Sequence, residues 1–313
     1  MTELPLPTNN PLVSIIIPSY NQGRFIRNTI DSILAQDYRP LEMVVVDGAS
    51  TDETMEVLRS YGDIPELNWV SEPDSGVVEA VNKGFALAKG EIGAIQSSDD
   101  YYLPGAIQAG VNALTGDRTL GFVFGDIIKI DADGTELSRT TLGTYSLERV
   151  LSIEIWIPQP STFFCLDLAR QLGGWREEVP YAADTDLWFR MAFRAGARKL
   201  DTVMAARRLH DAQRDKQGAR IIRDYCRMID TLPGLPSAPK EIRRAAAAGK
   251  LLMRNRYDYD GGYWAGWWRL WRACTIYTPL RARIDSGALI PGWYPLLTLA
   301  SRMKRVVTGT GSP

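Results

Sequence analysis

The chain is poor in cysteine and has no long apolar run. Its three cysteines, Cys165, Cys226 and Cys274, lie far apart among 313 residues with no C-x-x-C spacing. That argues against a zinc site or a disulfide framework and suits a reducing cytosol. The opening residues, MTELPLPTNN, lack a basic region followed by an apolar one, so no secretory signal is expected. The longest uncharged stretch near the end, SGALIPGWYPLLTLAS, is too short and too broken by proline to span a bilayer. No G-x-G-x-x-G follows the first apolar run and no G-x-x-x-x-G-K-[ST] occurs, which excludes the dinucleotide fingerprint and the phosphate-cradling P-loop.

The chain also lacks net charge, but only in sum. Residues 1–215 hold 19 Lys and Arg against 31 Asp and Glu, a net of −12; residues 216–313 hold 17 against 6, a net of +11. The second stretch also carries five of the nine tryptophans. Composition therefore expects a catalytic domain over 1–215 and a basic, Trp-rich helical extension over 216–313. Trp264, Trp267, Trp268 and Trp271 fall on one helical face. Two readings of that face stand: packing against the acidic first domain, which charge complementarity favours, and seating in the headgroup zone of a membrane. The terminal cluster LASRMKRVVTG suits peripheral contact with an anionic membrane, at the inner face of the cytoplasmic membrane. Nucleic acid is not expected among the partners.

The first hundred residues alternate apolar runs with helical patterns, which argues for βαβ units and a mostly parallel sheet flanked by helices. LVSIIIPSYN reads as a buried strand ended by Pro18, LEMVVVDGAS as a second ending at Asp47-Gly48, LNWVSEP as a third and IGAIQ as a fourth. Helical spacing places helices at Arg24–Ala35 and over GVVEAVNKGFALAKG, and Ser50 with Glu53 reads as a capping box opening a helix over 52–61. Ligands of open α/β sheets bind at the carboxyl ends of the strands, so Asn21, Asp47, Asp74, Asp99 and Asp100 are expected to converge on one crevice. Adjacent carboxylates such as Asp99 and Asp100 repel unless a cation or a proton sits between them. Each acid also has a plainer reading: Asp99-Asp100 as a solvated turn before a helix begun by Pro104, and Asp47-Gly48 as a strand-ending turn.

Five ordered segments, VSIIIPSYNQGRFIRNTIDSILAQDY, EMVVVDGASTDET, SEPDSGVVEAVNKGFALAKGE, QSSDDYYLPGAI and IPQPSTFFCLDLARQLGGWREEVPYAADTDLWFRMA, resemble the family 2 glycosyltransferases of GT-A fold over about residues 12–211. The resemblance implies the nucleotide-diphospho-sugar transferase fold with a C-terminal helical extension, inverting chemistry, and a role in bacterial polysaccharide biosynthesis. It implies that Pro18, Tyr20 and Asn21 line the nucleotide pocket, that Asp47 contacts the base, and that Asp74 and Lys83 lie near base or phosphates. Asp99 would meet the ribose, Asp100 would hold a divalent metal, and Asp184 would be the catalytic base. His210, the only histidine, stands where such enzymes often place an extra ligand to metal or diphosphate. Gln159 and Ser161, or Thr162, would face the acceptor.

The chemistry is consistent with those assignments. Sugar transfer from a nucleotide diphosphate to a hydroxyl needs a cation, Mn²⁺ or Mg²⁺, on the leaving diphosphate, and a base on the acceptor. YAADTDLWFRMAFRAG supplies Asp184 and Asp186 just before a helix, with Leu187, Trp188 and Met191 on its buried side. Many family members show Glu-Asp where this chain has Ala183-Asp184, so Asp186 stays open as the alternative base, or as a helix N-cap. The expected partners are a UDP-type nucleotide-sugar donor and a glycan or lipid-linked glycan acceptor. Two other functions remain open at this level: a nucleotidyltransferase, and a nucleotide- or sugar-binding module without catalysis.

Overall fold

The computed structural model describes residues 10–210, 217–257 and 262–285. The chain divides into two compact units. The first comprises residues 1–145 and 157–213, the second residues 146–156 and 214–313. Residues 146–156 thus belong with the tail, although their composition had not separated them from the first domain.

The first unit is built on a nine-stranded sheet. Its first half follows the expected βαβ pattern: β1 (Val13–Ser19), α1 (Gly23–Leu34), β2 (Leu41–Asp47), α2 (Thr54–Ser60), β3 (Leu67–Ser71), α3 (Val77–Leu87) and β4 (Ile92–Ile95). β1 and β2 are buried almost along their length because both faces are covered, and β3, at the edge, buries Leu67 but exposes Asn68, Trp69 and Ser71. Pro18 lies inside β1, paired with Val46, rather than ending it; β4 has already parted from β1 after Ile16, so the missing N–H breaks no ladder bond there.

Beyond β4 come β5 (Tyr101–Tyr102), α4 (Ala106–Gly116), β6 (Leu120–Ile130), β7 (Glu136–Thr140), β8 (Thr162–Cys165), α6 (Leu166–Gln171), α7 (Ala183–Ala192) and β9 (Gly196–Arg208). The strand order is β3-β2-β1-β4-β8-β6-β9-β5, with β7 on β6. β3, β2, β1 and β4 run parallel, whereas β8 is antiparallel to both β4 and β6. β6 and β9 also pair in parallel, over the longest ladder of the sheet, so the expected mostly parallel sheet holds, with short antiparallel pairings at β5, β7 and β8. The later strands are joined by hairpins and short helices that the 3.6-residue and two-residue periods do not order in space. Phe122 and Phe164 pack against the fully buried Trp188 of α7 with tilted rings, centroids 5.8 and 5.3 Å from it, and tie α7 to the sheet. Each such buried aromatic contributes about 1.5–3 kcal/mol.

The second unit is helical: α5 (Leu147–Leu151), α8 (Gly218–Asp230), α9 (Lys240–Tyr257), α10 (Gly262–Ile276) and α11 (Thr278–Asp285). Tyr225 donates its hydroxyl to Leu151 O, and the buried Glu154 carboxylate accepts two bonds from Arg283, 2.5 and 2.6 Å. These links explain why the short segment around α5 belongs here. Trp264, Trp267, Trp268 and Trp271 of α10 are exposed. The basic cluster LASRMKRVVTG lies outside the described residues. No described helix is long and apolar enough to cross a membrane.

Candidate active site

The parallel strands deliver the predicted residues to one end of the sheet. Asp47, the last residue of β2, is fully buried and accepts from Ser50 N (2.9 Å), the Ser50 hydroxyl and the Ser71 hydroxyl (2.7 Å). The Ser50 hydroxyl accepts in turn from Asn21 N, 2.7 Å, and Asn21 Oδ1 accepts from Thr51 N, 2.8 Å. Ser50 is thus not half of a capping box. The N–H of Thr54 at the start of α2 is met by Asp52 Oδ1, 3.0 Å, and Asp52 also accepts from Gly23 N. Asp52 lies two residues before α2 and is the nearer acceptor, which frees Ser50 to brace the β1 and β2 ends. Asn21 adopts a left-handed φ of 52°, tolerated by its short polar side chain.

Asp74 abuts the same point. A Cβ on Gly48 would come within 2.9 Å of Asp74 Oδ2, so any side chain after Asp47 would push the Asp74 carboxylate aside. Burial pushes the Asp74 carboxyl above the usual range, against the Gly76 N–H that favours its ionised form, and Glu79 and Asp47 push it further. Tyr20 is exposed and Pro18 half-buried. Lys83, on α3, is ion-paired with Glu72, which turns its charge toward the β3 end. Ser19 Oγ and Gln22 Oε1, on either side of Tyr20-Asn21, are buried without a hydrogen-bond partner. Buried polar atoms left so cost about 1–3 kcal/mol each unless something binds them.

Asp99 and Asp100 follow β4. Asp100 is buried; its Oδ1 accepts from Arg208 N, 2.8 Å, and its carbonyl from the Thr29 hydroxyl, 2.6 Å. Burial, and then the Asp99 charge, push its carboxyl well above the usual range, while Arg208 and Arg207 pull the other way. Asp99 Oδ2 lies 2.9 Å from His210 Nε2, so the pair of acids and the lone histidine do come together. Phe25 stacks against His210, centroids 5.0 Å apart, and lies under the Arg208 guanidinium at 4.9 Å. Arg208 also donates Nε to Asp99 O and Nη1 to Ala132 O, both at 2.9 Å. The two carboxylates are of the ligand type that suits Mn²⁺ or Mg²⁺, but among the described residues no group of three or more His, Cys, Asp and Glu side chains is placed to hold a metal ion by itself.

α7 begins at Ala183, so Asp184 and Asp186 stand in its first turn rather than before it. Their surroundings differ sharply. Among the described residues Asp184 accepts local bonds, from Thr185 N at 2.7 Å and Thr185 Oγ1 at 3.3 Å, and burial raises its carboxyl. The Arg207 charge opposes that rise, as it does at Asp100, so one cation bears on both acids. Asp186 is fully buried and accepts from Arg176 Nε (3.0 Å), Arg176 Nη2 and Arg190 Nε (2.7 Å). Its oxygens are committed to two guanidiniums, which disfavours it as a base, and the N-cap position of α7 belongs to Ala182.

The acceptor residues are less available than the sequence suggests. Ser161 is buried and donates to Gly125 O, 2.8 Å, and Thr162 donates to Pro158 O, 2.7 Å. Gln159 donates to Ile95 O and accepts from Ser97 Oγ, 3.2 Å, which holds the β4 end against the chain entering β8. Sequence reasoning missed Arg207, Arg208, Arg176 and Ser71. The one signal for the first two was a charged pair, Arg207-Arg208, closing the short apolar run 203–206 just before His210.

A family model described as Glycosyl transferase family 2 matches residues 14–168. An uncharacterized glycosyltransferase of Rickettsia felis is 32% identical over 229 residues, 69% of this chain but 37% of that protein. One of Rickettsia typhi is 30% identical over 230 residues, 70% of each chain. Among solved structures, S. aureus TarS 1-349 in complex with UDP-GlcNAc superposes with a TM-score of 0.66 at 15% identity, covering 93% of this chain and 92% of that one. The mannosyltransferase PcManGT from Pyrobaculum calidifontis in complex with GDP-Man and Mn²⁺ gives 0.58 at 24% identity, covering 96% and 90%. The structural likenesses give the GT-A fold, and the sequence matches carry the kinship: this chain belongs to the glycosyltransferase family 2.

Proposed function

We propose that the chain transfers a sugar from a nucleotide-diphospho-sugar to a hydroxyl of a glycan or lipid-linked glycan, with inversion, in bacterial cell-envelope or exopolysaccharide assembly. The observation that carries this is the gathering of Asp47, Asp74, Asp99 and Asp100 at the ends of adjacent strands, with His210 on Asp99 and two unpartnered buried polar atoms nearby. Family membership favours sugar transfer over nucleotidyl transfer. Residues 1–215 would hold the chemistry and 216–313 the helical extension.

In this reading Asp47, with Pro18, Tyr20 and Asn21, takes the nucleobase, and Asp74 lies beside it. Lys83, now paired with Glu72, would have to swing to reach a phosphate. Asp99 takes the ribose. Asp100 and His210 would hold Mn²⁺ or Mg²⁺, which supplies Lewis-acid charge to the leaving diphosphate. The acceptor hydroxyl attacks the anomeric carbon from the face opposite the diphosphate and gives its proton to Asp184. The sugar–phosphate C–O bond breaks with both electrons leaving on the nucleoside diphosphate, so the configuration inverts. A carboxyl raised by burial holds a proton better than an exposed one, which suits a base working near neutral pH.

Calorimetric titration of UDP and GDP, each with and without Mn²⁺, tests the donor half. Wild-type protein should bind one of them only with Mn²⁺, and Asp100→Ala should abolish that binding while melting as a folded protein. Equal affinity in the variant would refute the metal role.

A further inference from the structure

The second unit carries an apolar surface for which sugar transfer has no use. On α10, Trp264, Trp267, Trp268 and Trp271 are 80, 48, 54 and 56% exposed. Single exposed aromatics are ordinary; four on one face of one helix are not. The helix is anchored by its other side, where Leu270 and Ala273 are buried and Asn255 donates to Gly266 O, 2.9 Å. Packing within the unit therefore does not require the tryptophans. Arg272 flanks them, exposed, with its guanidinium 4.7 Å from the Trp268 ring centroid.

We propose that this face seats α10 along the headgroup zone of an anionic membrane. Indole rings prefer that zone, apolar in body with one polar N–H, and arginine beside them meets lipid phosphate. The +11 net charge of residues 216–313 adds attraction to an anionic leaflet. No described helix crosses a bilayer, so α10 lies on the surface rather than spanning it. A second copy of the chain is the weaker occupant. The exposed indole surface is roughly 400–600 Å², against about 800 Å² per partner in a standard interface. Two segments of like charge would also repel. The surface and its partner do not depend on which sugar is transferred, or whether any is.

The full-length protein is tested with vesicles of phosphatidylcholine alone and with phosphatidylglycerol added, and against a variant carrying Trp264→Ser, Trp267→Ser, Trp268→Ser and Trp271→Ser. Wild-type protein should sediment with the anionic vesicles, and the variant's partitioning should fall by about 100-fold or more. Intact far-ultraviolet dichroism and unchanged nucleotide binding in the variant separate this outcome from misfolding and from failure of the transfer reading. Bromine-labelled lipid should quench wild-type tryptophan fluorescence, which decides the matter even if the variant fails to fold. Equal sedimentation of both proteins would move attachment to the terminal basic cluster and overturn the proposal. So would no sedimentation and no quenching, or a wild-type dimer that the substitutions disperse.

Discussion

The two acids of α7 make the sharpest test, because the structure gives them opposite consequences when changed. Asp186→Ala removes the shared acceptor of Arg176 and Arg190 and leaves the buried Arg190 guanidinium without its hydrogen-bonded carboxylate. Breaking one side of a buried ion pair costs about 3–5 kcal/mol, and 1 kcal/mol moves Tm by about 2–4 °C in a domain of this size, so Tm should fall by roughly 6–20 °C. Asp184→Asn loses little: its carbonyl can still accept from Thr185 N, 2.7 Å, and a carboxylate that burial disfavours is replaced by a neutral amide. A carboxyl whose folded pKa is raised stabilises the fold fully below its unfolded pKa and loses that contribution as pH rises through the folded value. Tm of Asp184→Asn should therefore equal or exceed that of wild type at pH 7, and the advantage should vanish in acid. Nucleoside diphosphate release from UDP-GlcNAc or GDP-mannose should meanwhile fall by about 10²-fold or more. Differential scanning fluorimetry with a coupled release assay reads both. The reasoning fails if Asp186→Ala melts within a degree of wild type yet stops release, or if Asp184→Asn is the destabilised variant.

The rate of release should lose its acid limb with Asp184→Asn, and in wild type that limb should lie above the usual carboxylate range, because burial raises the Asp184 carboxyl and it must be ionised to accept a proton; a limb in the ordinary carboxylate range would refute this. Arg208→Met keeps bulk over Phe25 but loses the bonds to Asp99 O and Ala132 O, so Mn²⁺-dependent nucleotide binding measured by calorimetry should weaken about tenfold or more. Asp52→Ala should cost about 1 kcal/mol by urea denaturation as the acceptor at the start of α2, while Glu53→Ala should cost close to nothing, since Glu53 caps nothing.

What the sequence shows and what it hides divide along a physical line. The strand ends at Asp47 and at Asp99-Asp100 were legible because a buried parallel strand is a short apolar run and its polar terminus is visible where the run stops. β8 was hidden because its register against β4 and β6 depends on where Gln159 is held at the β4 end, a contact 64 residues apart in sequence. Asp184 and Asp186 look alike in the sequence, two acids in one helical turn. Asp186 is set apart by Arg176, ten residues earlier and just past the turn at Gly173 and Gly174, whose φ values are 82° and 65°. Arg190, one helical turn on, completes the clamp, and the same guanidinium donates to Leu172 O and Gly174 O. The turn that carries Arg176 is in turn held by Asn82 of α3, which bonds both Trp175 N and Trp175 O at 2.8 and 2.9 Å. The clamped acid therefore fixes the first turn of α7 to α3, whose C-terminal half lies behind the donor strands. Asp184, two residues earlier and free of any guanidinium hydrogen bond among those described, is left on a fixed helix end with its proton affinity raised. A base needs a rigid mount and an uncommitted carboxylate, and under the proposed assignment of Asp184 as base these two neighbouring acids would divide that requirement between them.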